Sequence, residues 1–142
     1  GVSPAIKVTT LPANLSIFRR HSSVVTGPYN WVTSSGIKGI NEVKIELGTM
    51  ADAKKYTVKL YFSEPEVALK GPRLFDVEIE GKKVLTDFDI AKEAGGSLRS
   101  VIKEFAGVSA RGHLTVRLTP SVGATLREPI LSGIELIAEE RK

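Results

Sequence analysis

The chain has 142 residues, of which 42% are hydrophobic, and it contains no cysteine, so one core must form without disulfides. No apolar run approaches the roughly 18 residues of a membrane-spanning helix, which argues against membrane insertion. The net charge of +4 comes from basic residues scattered among acidic ones, whereas a nucleic-acid partner requires clustered basic residues.

The first informative segment carries two aromatic residues, Tyr29 and Trp31, just after a Gly-Pro step that predicts a loop. Sugar recognition uses flat aromatic faces against the apolar side of a pyranose, so both rings are candidate ligand contacts at the domain rim. The alternative is that Trp31 begins a strand and closes one end of the core.

From residue 43 onward, apolar and polar residues alternate with the period of a β-strand. Repeated strands of this kind between turn residues predict an all-β fold, a two-sheet antiparallel β-sandwich. Tyr61 falls on the opposite face from Leu60 and Phe62, so we expect it to be exposed. The positions that we expect to be buried are Val58, Leu60, Phe62, Phe75, Val77, Ile79, Val116, Leu118 and Ile134.

Turn residues divide the strands. Gly81 predicts a tight hairpin that pairs residues 75–80 with residues 83–86. Proline at both ends places residues 64–72 in a loop outside the sheet. Asp89 is a predicted N-cap for a short helix that ends at Gly95, and we expect at most one or two short helical turns in the domain.

Two acidic pairs, Asp76 with Glu78 and Asp87 with Asp89, have the i, i+2 spacing of about 6.6 Å on one strand face. Glycosidases use carboxylates at comparable separations. Any outward strand face with two acids has this geometry, however, and neither pair has a sequence signal for burial. We therefore expect solvated or turn-stabilising carboxylates, no catalytic residues and no enzyme activity.

The sequence gives equally little support for a metal or cofactor site. The two histidines, His21 and His113, have no second histidine or cysteine at ligand spacing. Asp87, Asp89 and Glu93 could give oxygens to calcium, but no ligand-dense loop surrounds them. We expect no metal ligands and no cofactor.

Four ordered sequence words are more specific than the alternation. They are Y-x-V-x-L-x-F-x-E at 56–64, F-D-V-x-I-x-G at 75–81, D-F-D-I at 87–90 and P-I-L-S-G-I-E-L at 129–136. These words resemble the malectin family, in particular a bacterial-type member, over about two-thirds of the chain. That family contains carbohydrate-binding, lectin-like modules, so the resemblance implies a jelly-roll-like, galactose-binding-like sandwich.

The family's ligand residues are not kept. The aromatic pair that follows the first matched strand in the malectin lectin corresponds here to Glu66 and Val67, and an aspartate before the closing strand corresponds to Arg127. The resemblance implies that the loops at 64–72 and 119–129 meet at one end of the sandwich. There Glu66, Arg73 and Arg127 become candidate ligands for sugar hydroxyl or carboxylate groups.

These observations predict a noncatalytic carbohydrate-binding module from which the aromatic malectin pocket is largely absent. We expect one domain over residues 1–142, excised from a larger extracytoplasmic protein, since the first residue is Gly1 rather than methionine. The expected partners are an oligosaccharide, with an acidic glycan favoured by the arginines, and neighbouring domains of the parent protein. The alternative is a structural or protein-interaction β-sandwich without sugar binding.

Overall fold

The structure is a computed structural model, and it describes residues 8–11, 16–19, 35–49, 52–66 and 71–139. Strands dominate the described residues, and one short helix, α1 (Ile90–Ala94), interrupts them. The strands are β1 (Val8–Leu11), β2 (Ser16–Arg19), β3 (Ser35–Lys38), β4 (Glu42–Glu46), β5 (Lys54–Ser63), β6 (Phe75–Ile79), β7 (Lys82–Phe88), β8 (Ser100–Ala110), β9 (His113–Pro120), β10 (Ile130–Leu131) and β11 (Gly133–Ala138).

The strands form two antiparallel layers. One layer is a five-stranded sheet with the order β1-β4-β9-β6-β7. The other layer consists of two three-stranded sheets, β11-β5-β8 and β10-β3-β2. They adjoin where β10 runs into β11, and there the Ser132 N–H donates to the Tyr61 carbonyl at 2.8 Å. The predicted all-β antiparallel sandwich is confirmed.

The core lies between the layers and is built on three aromatic rings. The ring centroids of Phe62 and Phe88 are 4.8 Å apart, and Phe75 lies 6.1 Å from Phe62 and 5.7 Å from Phe88. All the predicted inward positions are buried except Ile134, which is partly buried and packs against the core. Its strand, β11, lies at the edge of its sheet, so fewer neighbours cover it.

The hairpin and helix-cap predictions are confirmed, whereas residues 67–70 of the predicted loop at 64–72 lie outside the described residues. Glu80 and Gly81 both have positive φ, 50° and 78°, as a two-residue hairpin of the type I′ kind requires. The Asp89 side chain accepts a hydrogen bond from the Lys92 N–H at 3.1 Å and so caps helix α1. Gly95 ends that helix in the left-handed conformation, with φ of 84°.

The expected exposure of Tyr61 is wrong, because only 6% of this residue is accessible to solvent. Its place on the face opposite Phe62 is as predicted, but that face is covered at this point. The Tyr61 hydroxyl donates to Glu135 Oε1 at 2.8 Å, which satisfies the polar end of the buried ring. Tyr61 therefore presents no stacking surface to a ligand.

Candidate ligand site at the loop end of the sandwich

Two loops meet at one end of the sandwich, as the resemblance implied. The N–H groups of Thr125 and Leu126 both donate to the Pro72 carbonyl, at 3.0 and 3.2 Å. The approach is close, because a Cβ on Gly71 would lie 2.5 Å from Thr125 Oγ1. Glycine at this position thus allows the second loop to pack against the first.

A buried ion pair in the interior of the sandwich holds the loop end in place. Arg73 Nε donates to Glu64 Oε1 at 2.7 Å and Nη2 donates to Glu64 Oε2 at 3.3 Å. Both side chains are at most 2% exposed. Two charges removed from water are tolerated when they pair and when further hydrogen bonds satisfy them. Here Arg73 Nη1 also donates to the Glu128 carbonyl, at 2.7 Å, and the Glu66 N–H donates to Glu64 Oε2, at 3.2 Å.

The position of Arg73 does not fit the expectation that it contacts a ligand directly. Its guanidinium lies in the interior and already has Glu64, Glu66 and Glu128 as partners. It instead acts as a positioning residue that holds the backbone before β10. The word that ends in Glu64 gave no indication of this pairing, because the arginine follows nine residues later across a loop.

Glu66 lies at the rim above this pair, with 38% of its side chain exposed. Its Oε1 is 3.4 Å from Arg73 Nη2 and accepts a hydrogen bond from Lys38 Nζ at 3.3 Å. The structure therefore brings together two of the predicted site residues, Glu66 and Arg73. Tyr29 and Trp31 lie outside the described residues.

Beside this cluster is an open groove of about 660 Å³, which we call the loop-end groove. Its volume falls within the range of small-molecule sites. The predicted residue Arg127 lines it, and Arg127 Nη1 donates to the Ser121 carbonyl at 2.8 Å. The residues that line this groove are Gly39, Asn41, Glu42, Arg117, Leu118, Thr119, Pro120, Arg127, Glu128 and Pro129.

An ion pair that the sequence analysis did not select crosses the wall of the loop-end groove. Arg117 Nη2 donates to Glu42 Oε1 at 3.1 Å, and the two residues are 75 positions apart in the chain. They face each other because β4 and β9 pair in the register Glu42 to Arg117. Alternation alone places Arg117 on an outward face, but only the strand register identifies its partner.

A second depression, of about 450 Å³, lies at the seam between β7 and β8, and we call it the seam groove. It is lined by the half-buried apolar side chains of Val84, Phe105 and Val108, together with polar residues of the neighbouring turn. The predicted ligand residues Glu66, Arg73 and Arg127 do not line this depression.

Three of the four paired acidic residues have structural roles, Asp89 as the cap of helix α1 and Asp76 and Asp87 through a contact with each other. Asp76 Oδ1 accepts the Asp87 N–H at 2.8 Å, and Lys83 Nζ is 3.1 Å from Asp76 Oδ2. The Asp87 N–H, followed by Lys83, holds the pKa of Asp76 below its usual range despite partial burial. A general acid of a glycosidase needs the opposite shift. Asp87 has a φ of 48°, so its N–H contact with Asp76 stabilises an uncommon backbone conformation.

Metal ligands and membrane spans can be assessed only over the described ranges. No group of three histidine or acidic side chains there is arranged to hold a metal ion. No helix among the same residues is long and apolar enough to cross a membrane.

Comparison with known proteins identifies the sequence relatives of the chain. A model of the malectin domain family matches residues 48–130, which is more than half of the chain. A probable LRR receptor-like serine/threonine-protein kinase of Arabidopsis thaliana is 42% identical over 94 residues, covering 57% of this chain and 9% of the relative. Receptor-like protein 4 of the same plant is 34% identical over 92 residues, covering 63% and 14%. The chain thus spans about a tenth of the length of these relatives.

Solved structures share the fold at low identity. The extracellular domain of ANXUR2 from Arabidopsis thaliana superimposes with a TM-score of 0.75 at 15% identity, over 94% of this chain and 41% of that one. The Bacteroides uniformis beta-glucuronidase gives a TM-score of 0.72 at 15% identity, over 89% of this chain and 14% of that one. At such identities the likeness shows a common fold alone.

Proposed function

The chain belongs to the malectin domain family, and we propose that it is a noncatalytic module that binds an acidic glycan in the loop-end groove. Family membership supports a carbohydrate-binding or extracellular module. The observation that carries the finer proposal is the chemistry of the groove, which is lined by two arginines, two glutamates and an asparagine.

The groove has the side chains that a sugar acid requires. Arg127 donates to the Ser121 carbonyl through Nη1, and none of the carboxylates in the described residues lies within salt-bridge distance of its guanidinium. A guanidinium can bind a carboxylate through two parallel hydrogen bonds. Asn41, Glu42 and Glu128 add amide and carboxylate groups that accept hydrogen bonds from sugar hydroxyls.

Neutral sugars have less to gain in this site. A pyranose without charge depends on aromatic rings that cover its apolar face. Among the described residues, none of the side chains that line the loop-end groove is aromatic. We therefore expect maltose-type disaccharides to bind weakly.

The absence of a catalytic function is supported by Asp76, a member of one of the two acidic pairs that were considered as catalytic carboxylates. Asp76 is held ionised by the Asp87 N–H, so it lacks the proton that cleavage of a glycosidic bond requires. This chain covers only 14% of the beta-glucuronidase that shares its fold.

The alternative, a protein-interaction sandwich, has less support. Such a role favours a contiguous exposed apolar patch of a few hundred Å². Among the described side chains, only Val122 and Ile137 are large hydrophobic residues with high exposure. They lie on separate elements, in the loop after β9 and on β11.

The relatives suggest the surroundings of the module. Two of the similar proteins are a receptor-like kinase and a receptor-like protein, and the similar ANXUR2 structure is that of an extracellular domain. We therefore propose an extracytoplasmic location, and neighbouring domains of a longer parent protein as additional partners.

Isothermal titration calorimetry with trigalacturonate and maltotriose tests the proposal. We expect trigalacturonate to bind and Arg127→Ala to weaken it by about tenfold or more, the effect of losing a charge-assisted contact of about 1.5 kcal/mol or more. Arg111→Ala is the matched control, because Arg111 is an exposed arginine near the opposite end of β9.

Two results would contradict the proposal. Tight maltotriose binding that Arg127→Ala leaves intact would show that charge is not the basis of recognition. Failure of every neutral and acidic glycan to bind would favour the protein-interaction alternative.

A further inference from the structure

The charged side chains of the loop-end groove balance in formal charge. The lining includes two arginines, Arg117 and Arg127, and two glutamates, Glu42 and Glu128. Arg117 is already paired, because its Nη2 donates to Glu42 Oε1 at 3.1 Å. Among the described residues, Arg127 has no carboxylate within salt-bridge distance. The groove therefore offers one unpaired guanidinium to a ligand.

The second glutamate adds negative charge to the same groove. A Cβ on Gly39 would lie 3.7 Å from Glu128 Oε2, so this carboxylate lies beside the residue that follows β3. No lysine or arginine of the described residues lies within salt-bridge distance of it. A further carboxylate of a ligand would be repelled here, whereas an uncharged sugar unit can donate its hydroxyls to Glu128.

The surface next to the groove is also unfavourable to additional carboxylates. The Glu42–Arg117 pair lines a second depression, of about 310 Å³, on the outer face of the five-stranded sheet. Glu78 and Glu80 line this depression together with Lys44, and Glu78 is opposite Arg117 in the strand register. An acidic chain that extended in this direction would therefore meet more acidic than basic side chains.

We propose that the loop-end groove accepts one uronate carboxylate, at Arg127, and selects glycans in which the units beside that uronate are uncharged. Glu42 sets this selectivity, because it occupies the guanidinium of Arg117, which would otherwise bind a second carboxylate. This proposal rests on the proposed function, since it names the ligand class of the same site. A polyuronide with a free carboxylate on every unit is thus the poorer ligand.

Three forms of trigalacturonate test the selectivity, because they share sugars and linkages and differ in the carboxylates that are free. The triacid has all three, the monoacid keeps the middle one with the outer two as methyl esters, and the triester has none. In calorimetry, the monoacid should bind the wild-type protein about fivefold more tightly than the triacid, since its outer units avoid repulsion. The triester should bind about tenfold more weakly than the monoacid, because it has no carboxylate for Arg127.

Glu42→Gln tests the residue that sets the selectivity. It keeps the size of the side chain and frees Arg117, so the triacid should gain about tenfold in affinity and become the better ligand. The affinity for the monoacid should change by less than about threefold, because salt screens exposed charges that are not in contact. With Arg117→Gln added, the triacid should lose its gain. The pair is partly exposed, with 59% of the Arg117 side chain accessible, so both variants should fold.

Glu46→Gln is the matched control for Glu42→Gln. Glu46 is an exposed glutamate at the other end of the same strand and is not among the described residues that line the loop-end groove. Its substitution removes the same charge from the protein and should leave the ratio of the triacid and monoacid affinities unchanged.

The outcomes separate this proposal from the proposed function. Triacid binding as tight as monoacid binding in the wild-type protein would overturn the selectivity and leave the loop-end site standing. An equal gain for both ligands in Glu42→Gln would also overturn it, because Glu42 would then repel any acid rather than occupy Arg117. Triester binding as tight as monoacid binding, or no binding of any form, would overturn both proposals.

Discussion

The middle of the sandwich and its loop end are stabilised by different physical means. In the middle, three phenylalanine rings pack between the layers and are buried by the hydrophobic effect. At the loop end, the Glu64–Arg73 pair and hydrogen bonds to carbonyl groups perform the same role. The comparison shows that the core and the loops are supported by separate sets of contacts, because the loops have their own polar interactions.

The largest effect should follow a substitution in the middle region. Phe75→Ala removes a ring with 0% exposure that contacts two other rings, so we expect it to lower the free energy of unfolding by about 3 to 5 kcal/mol. Denaturant titration measures the change. Val122→Ala, at a fully exposed position, is the control. A loss below about 1 kcal/mol for Phe75→Ala would show that the ring cluster does not stabilise the middle of the sandwich.

The second-largest loss of stability is expected at the loop end, where it arises from an unpaired buried charge rather than from a lost ring. Arg73→Met leaves Glu64 as a buried carboxylate without its charge partner and should cost about 3 kcal/mol. The cost should stay at the low end for a broken buried pair, because the Glu66 N–H still donates to Glu64. Glu64→Gln in the Arg73→Met background should recover about 1 kcal/mol, because the orphaned charge is gone.

A double-mutant cycle by urea titration provides this measurement. Additive losses for Glu64→Gln and Arg73→Met would mean that the two charges do not support each other. The buried ion pair would then not be what stabilises the loop end.

A smaller effect is expected at Asp76, where the two regions adjoin. Its depressed pKa contributes stability that is complete above the pKa of an unfolded aspartate, about 4, and is lost as the pH falls through the lower pKa of the folded state. Asp76→Asn should cost about 1 kcal/mol near neutral pH and should reduce the loss of stability in acid.

The control for this substitution is Glu78→Gln on the same strand, which removes a carboxylate that accepts no backbone hydrogen bond within the described residues. Unfolding curves recorded from neutral to acidic pH compare the two variants. If Asp76→Asn retains the full acid sensitivity of the wild type, the Asp87 contact does not stabilise the fold.

Much of the middle region could be predicted from the sequence, because its determinants are local. Alternation placed Phe62 and Phe75 in the core, and the D-F-D-I word contains the residue that caps helix α1, Asp89. The same word places Phe88 in the core and Asp87 in a left-handed backbone conformation. These sequence words therefore specify the fold rather than a sugar site.

The loop end was harder to predict because its contacts depend on long-range pairing. Arg73 and Arg127 are the same residue type in similar polar loops, yet one is 2% exposed and the other lines an open groove. Only the meeting of the two loops decides which arginine is buried. The Glu42–Arg117 pair likewise depends on strand register, which alternation does not specify.

The central claim is that charge in the loop-end groove has taken the place of aromatic stacking. The most direct test is a titration of isotope-labelled protein with trigalacturonate, followed by amide chemical shifts in two-dimensional NMR spectra. The account predicts the largest shifts at Asn41, Thr119 and Glu128, which line the loop-end groove. Shifts centred on Val84 and Phe105 in the seam groove, or no shifts at all, would contradict it.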